Sequence, residues 1–262
     1  MFYHKTHTAI LCLFLSTLVY GCSSPPEGMV KIPAGEFIMG SDEVDKDAKA
    51  VQYGSKKPWY ANERPKKTVY LDDFYIDRTE VTNRAYKEFI LDTGTAAPKH
   101  WPGGTYPDNL TDHPVVLISW FDAKAYCEWK DARLPSEAEW EKAARGTDGR
   151  RFPWGEEFDL NKVNTIGRFS GTTTVGMLPD GASPYGALDM AGNAQEWTSD
   201  SYKAYPGSVY TDEDYGERFK TVRGGGWGGM GHYALNVYVR TSYRNFAPPG
   251  AGYDDVVFRC AW

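Results

Sequence analysis

The sequence predicts an α+β domain of short mixed strands and few helices, rich in loops. Three observations predict it. Aromatic residues make up 15% of 262, with 9 Trp and 18 Tyr beside 27 Gly and 16 Pro. Tyr and Trp bury large apolar areas but need partners for their polar tips, so such a core is pinned by side-chain hydrogen bonds. Helix-start signals occur at three places only, and the strand pattern only in short runs. Composition is even from residue 29 onward, with no repeat and no Pro/Ser linker, so one domain spanning 29–262 is expected.

In chain order, residues 1–21 read as a lipoprotein signal peptide. Lys5 precedes an apolar run from Ala9 to Val19, shorter than the roughly 20 residues that span a bilayer. The run ends in Leu18-Val-Tyr-Gly-Cys22. A small residue before Cys resembles a lipobox, so cleavage before Cys22 and lipidation of its thiol are expected. Tyr20 is unusual there, and an ordinary secretory signal is the alternative. Either one exports the chain. Ser23 resembles the outer-membrane sorting pattern of two-membrane bacteria, which predicts a lipid anchor in the outer membrane. Residues 22–28 form a polar tether.

Short strands are predicted over Val30–Met39 and Thr68–Ile76, with an exposed loop over 42–67 between them. Thr82 caps a helix over Asn83–Leu91, ended by Gly94. Ser119, with Asp122 three residues on, starts a second helix over Ala123–Lys130. Ser136 and Glu139 form a capping-box pattern ahead of Trp140–Arg145, closed by Gly146. Glu137, Glu139 and Glu141 then read as cap and solvated face rather than an acid/base pair. A last strand is predicted over Asn236–Arg240. A net charge of −6 argues against nucleic-acid binding as a main task, since phosphate contacts need a basic face.

The stretch Asp189-Met-Ala-Gly-Asn-Ala-Gln-Glu-Trp197 has the chemistry of a hard-cation loop. Asp189 and Glu196 offer carboxylates, and Gly192 allows a turn that aims main-chain carbonyls at one point, which suits calcium. A Gly-centred turn with solvated acids is the alternative.

This stretch resembles the Asn-x-x-Gly-Asn-x-x-Glu-Trp signature of the formylglycine-generating enzyme (sulfatase-modifying factor) family. Further family-like phrases follow in order. They are Met29–Gly40, Thr79-Glu-Val-Thr-Asn83, His113-Pro-Val-Val116, Arg133–Glu141, Phe152-Pro-Trp-Gly155, Arg223-Gly-Gly-Gly-Trp227 and Phe258-Arg-Cys-Ala261. The resemblance implies the family's variety of C-type-lectin-like fold. It also implies structural calcium on Asp189, Gly192, Ala194 and Glu196, with a second site near Asn164 and Thr165 whose other ligands are missing. Cys127 and Cys260 match family positions that form a disulfide, and two thiols left in an exported domain are expected to pair.

Activity is another matter, because one fold hosts several functions. In the formylglycine-generating enzymes a Ser and two Cys after the Arg-Gly-Gly motif hold copper(I), which prefers soft thiolates. Here the segment from Arg223 to Arg240 contains no Cys. Gly226 replaces the Ser, Gly229 or Met230 falls at the first Cys, and Asn236 falls near the second. Gln195 stands for an aromatic residue and Asp255 for an Asn. Met230 and His232, two residues apart, are an alternative soft pair for copper(I), and iron is a further alternative metal. The expected reading is an envelope protein that binds a protein partner through the former catalytic face. That face comprises Gln195, Trp227, Met230, His232, Asn236, Arg240, Arg244 and Asp255. The alternatives are a non-Cys oxidoreductase and a surface ligand-binding receptor.

Overall fold

A computed structural model of the protein describes residues 27–228 and 235–262. The signal segment, Cys22, Met230 and His232 lie outside the described residues. Two antiparallel ribbons open the domain: β1 (Met29–Ile32) pairs with β4 (Phe74–Asp77), and β2 (Gly35–Met39) with β3 (Lys67–Leu71). Each strand expected as a single run is thus two. The break at Pro33-Ala34 falls where Pro cannot donate to a ladder, and the other falls at Asp72-Asp73. The 42–67 segment also departs from an exposed loop. It holds a short helix, α1 (Lys49–Gln52), and delivers Glu63 to a fully buried position.

The three longer helices start where their caps predict. In α2 (Asn83–Thr93) the Thr82 hydroxyl accepts from Ala85 N, and Gly94 closes the helix in the left-handed region. Both α3 (Trp120–Trp129) and α4 (Glu137–Arg145) carry complete capping boxes, from Ser119/Asp122 and Ser136/Glu139. Each cap contributes about 1 kcal/mol.

A four-stranded sheet holds the centre, in the order β7 (Asn245–Ala247), β6 (Lys220–Arg223), β5 (Gln195–Ser201), β8 (Val256–Val257). Only β5 and β8 run parallel. Strand alternation on β5 splits the core in two. Trp197 joins an aromatic cluster with Tyr86, Phe89, Tyr126 and Phe258 beneath α2 and α3. Its neighbour Glu196 turns instead to Trp140, in the cluster under α4. The disulfide Cys127–Cys260 forms within the first cluster, tying α3 to the chain just beyond β8. Residues Asn236–Val239 form a 3-10 turn, not the expected strand. Their alternating Val and Tyr are buried by tertiary packing, which overrides a strand-like pattern.

Candidate functional site

The segment 189–197 is folded as a turn that leads into β5. Asp189 and Asn193 both take positive φ, as does Gly192. A Cβ at Gly192 would sit 2.4 Å from the Asn164 carbonyl, so glycine is required for the close approach. Asn193 is the hub of the turn: its amide donates to Glu80 Oε1 at 2.9 Å, and its oxygen accepts from Thr173 N and Asn164 Nδ2.

The two carboxylates of the predicted loop have different surroundings. Glu196 is fully buried, and Arg259 holds both its oxygens at 2.6 and 2.7 Å, with Trp140 Nε1 at 2.8 Å. Its charge is already neutralised. Asp189 accepts from Gly176 N at 2.6 Å and lies within hydrogen-bonding reach of Glu80. Burial, reinforced by the Asp189 charge, pushes the Glu80 carboxyl well above the usual carboxylate range. Burial raises Asp189 as well, against the Gly176 N–H and Glu80. Two carboxyl groups placed this way share a proton or a cation.

Calcium takes oxygen ligands, so orphaned buried oxygens test the fit. Asn164 Oδ1 is buried without a hydrogen-bond partner, and Glu80 Oε2 has no donor beyond a proton shared with Asp189. Asp189, Glu80 and Asn164 offer oxygens of the kind a hard cation takes; Glu196, locked on Arg259, fits poorly. Among the described residues no group of three or more His, Cys, Asp or Glu is arranged to hold a metal ion. Thr165 does not present its hydroxyl outward, because that hydroxyl donates to the Gly226 carbonyl at 3.1 Å.

Beside this loop lies the segment that follows β6. A Cβ at Gly225 would meet the Tyr238 carbonyl at 2.3 Å, and one at Gly226 would meet Asp255 Oδ2 at 3.1 Å. Gly226 thus makes room for the buried Asp255 carboxylate. Gln195 Oε1 accepts from Asn245 Nδ2 at 2.8 Å, tying β5 to β7. Trp227 is half-buried, its indole N–H donating to the Asp254 carbonyl at 3.5 Å, and Asn236 is exposed.

Arg240 and Arg244, expected on a recognition surface, are enclosed instead. Arg240 makes a bidentate pair with Glu63 at 2.6 and 2.8 Å. Arg244 does the same with Glu137, which also meets Arg223 at 3.0 Å. Glu141 bridges Arg223 and Arg145, both at 2.6 Å. Glu137 and Glu141 are therefore buried ion-pair partners, not a solvated face; only Glu139 acts as the cap. Burial works to raise Glu137, but Arg244 and Arg223 outweigh it and hold the carboxyl below its ordinary range. Sequence reasoning missed Glu63 and Glu80 as buried charges. Glu80 stood inside a family-like phrase, and nothing local distinguishes Glu63 from a loop acid.

Residues 18–262 match the sulfatase-modifying factor enzyme 1-like domain family. The chain is 31% identical to the bovine (Bos taurus) formylglycine-generating enzyme, over 92% of this chain and 76% of that protein. It is also 31% identical to hercynine oxygenase of Mycobacterium tuberculosis, over 86% of this chain but only 59% of that one. Among solved structures, PvdO from Pseudomonas aeruginosa superposes with a TM-score of 0.68 at 28% identity, covering 89% of this chain and 93% of its own. The chain belongs to the sulfatase-modifying factor (formylglycine-generating enzyme) family. Its fold is that family's α+β, C-type-lectin-like arrangement.

Proposed function

We propose that this is an exported, lipid-anchored envelope protein whose domain binds a partner through the face that carries catalysis in the formylglycine-generating enzymes. The observation that supports the reading is the fate of the thiols. The cysteines after residue 22 are Cys127 and Cys260, and both are consumed in the disulfide. A two-thiolate copper(I) centre therefore has no ligands in this domain. Gly226 removes the hydroxyl expected beside it, and Asp255 fills the space. Losing first ligands removes a mechanism, whereas a changed outer shell only weakens one by about 10–100-fold. Calcium on Asp189 and the carbonyls of Gly192 and Ala194 is proposed to hold the adjoining turn.

The test incubates the purified protein with copper(I), oxygen, reductant and a Cys-x-Pro-x-Arg peptide. No aldehyde above the no-protein control is expected, while capture from cross-linked cell envelope is expected to recover a protein partner. Aldehyde formation would overturn the reading. Similarity to a hercynine oxygenase supports a second reading, an oxidoreductase with a non-Cys site. Stoichiometric iron or copper in the purified protein would select it.

A further inference from the structure

Beside the proposed binding face, a cavity of about 260 Å³ opens between the segment 55–63 and β7. Seven aromatic residues line it. Trp59 meets Tyr238 edge-on at 6.1 Å, Tyr238 meets Tyr243 at 5.2 Å, and Tyr202 stacks on Phe246 at 4.4 Å. Of the four cations in the wall, three are already matched within the protein, and the fourth, Lys56, is exposed. Arg240 is held by Glu63, Arg244 by Glu137, and Lys57 by Asp212 and Asp214 at 2.5 and 2.6 Å. All three also cover ring faces, Arg240 over Tyr60 at 4.3 Å, Lys57 over Phe246 at 4.8 Å and Arg244 over Tyr205 at 4.0 Å. Paired charges of this kind give little pull on an ionic ligand. What remains on offer is ring surface, with the exposed Lys56 and the polar side chains Asn62 and Asn245 beside it.

We propose that this cavity binds an uncharged planar aromatic group with a hydrogen-bonding edge, of the phenol or indole type. Aromatic rings favour offset-stacked and edge-to-face neighbours, and half-buried rings around an open space are poorly served by water. An apolar cavity of roughly 150 Å³ holds one benzene ring, so this one takes a substituted ring or a fused pair. The Asn245–Gln195 hydrogen bond joins the cavity to the former catalytic face. The assignment extends the binding reading by naming a ligand class for that face, and rests on it only for this placement.

The test is a ligand-observed NMR titration of the full chain with p-cresol and with indole, using cyclohexanol as a ring of similar size without aromatic character. Both aromatic probes should saturate and bind at least about tenfold more tightly than cyclohexanol, a difference of about 1.4 kcal/mol. Trp59→Leu keeps apolar bulk without a ring and should weaken them by a similar factor, while Trp59→Phe should restore most of the affinity. Melting curves of both variants establish that they are folded, and Phe246→Leu provides the same contrast from the opposite wall. Non-saturating titrations, equal binding of cyclohexanol, or affinity unchanged in both Leu variants would each overturn the proposal. Because the readout is occupancy of the cavity, those failures leave partner capture standing, whereas failed capture with tight aromatic binding would remove only the protein partner.

Discussion

Two buried charge clusters flank the central sheet, and they are built on opposite principles. Under α4, Glu137 and Glu141 meet Arg145, Arg223 and Arg244, while Glu63 meets Arg240 nearby. Every carboxylate there has a guanidinium. Around Arg259, by contrast, Glu196, Glu80 and Asp189 are gathered with that one arginine among them, and Asp77 also feels its charge. The first cluster is complete without help. The second is short of positive charge, so it must take up protons or a cation. The difference separates what holds the fold from what responds to its surroundings, and it can be tested from both sides.

The largest effect is expected from breaking the matched cluster. Glu137→Gln leaves Arg244 buried without its carboxylate and Arg223 with Glu141 alone, and should destabilise the domain by about 3–5 kcal/mol in denaturant unfolding. A loss under about 1 kcal/mol would mean that the cluster is hydrated and interchangeable with surface pairs.

Next comes the acid-rich side, where the sign of the pH dependence is informative. Burial raises Asp77 to about 6, against the Cys260 N–H and the Arg259 charge. An acid raised on folding stabilises the native state fully below its unfolded pKa, near 3.8, and that contribution is lost as pH rises through about 6. Asp77→Asn should therefore flatten the stability profile between pH 4 and 7, by at most about 3 kcal/mol. A profile equally steep in the variant would place the titration elsewhere.

Calcium sharpens the same contrast. If it bridges the Asp189 region, a chelator should lower the melting temperature, with a linkage effect of about 2.7 kcal/mol at a concentration 100-fold above Kd. Glu80→Gln removes an acid that is raised by burial and by Asp189. In chelator at pH 7.5 it should melt no lower than the native chain, because the native carboxyls repel. Identical melting with and without calcium, in both proteins, would leave the turn held by protons alone.

The smallest effect belongs to a pair outside both clusters. Arg133 grips Glu139 through two bonds, but its side chain is half exposed. Arg133→Gln should cost less than about 1 kcal/mol, and less still in high salt. A loss comparable to that of Glu137→Gln would mean that the exposed pair counts as much as the buried ones.

Local chemistry alone determined a good part of this protein. The caps of α2, α3 and α4 were legible at Thr82, Ser119 and Ser136, because a cap acts within three residues of itself. The family was legible in its ordered phrases, and so was the lack of Cys between Arg223 and Arg240. Tertiary structure decided what depends on distant neighbours. Glu137 and Glu141 carry a helix-surface pattern, yet Arg223 and Arg244, far along the chain, draw them inside. Glu63 reads as a loop acid until Arg240 meets it. Asn236–Val239 has strand chemistry, but packing against Gly225 coils it. Glu196 looked like a ligand, and Arg259 neutralises it; Glu80 looked like a bystander, and the fold buries it beside Asp189. A charge's role depends on the nearest opposite charge in space, and a single sequence does not state that distance.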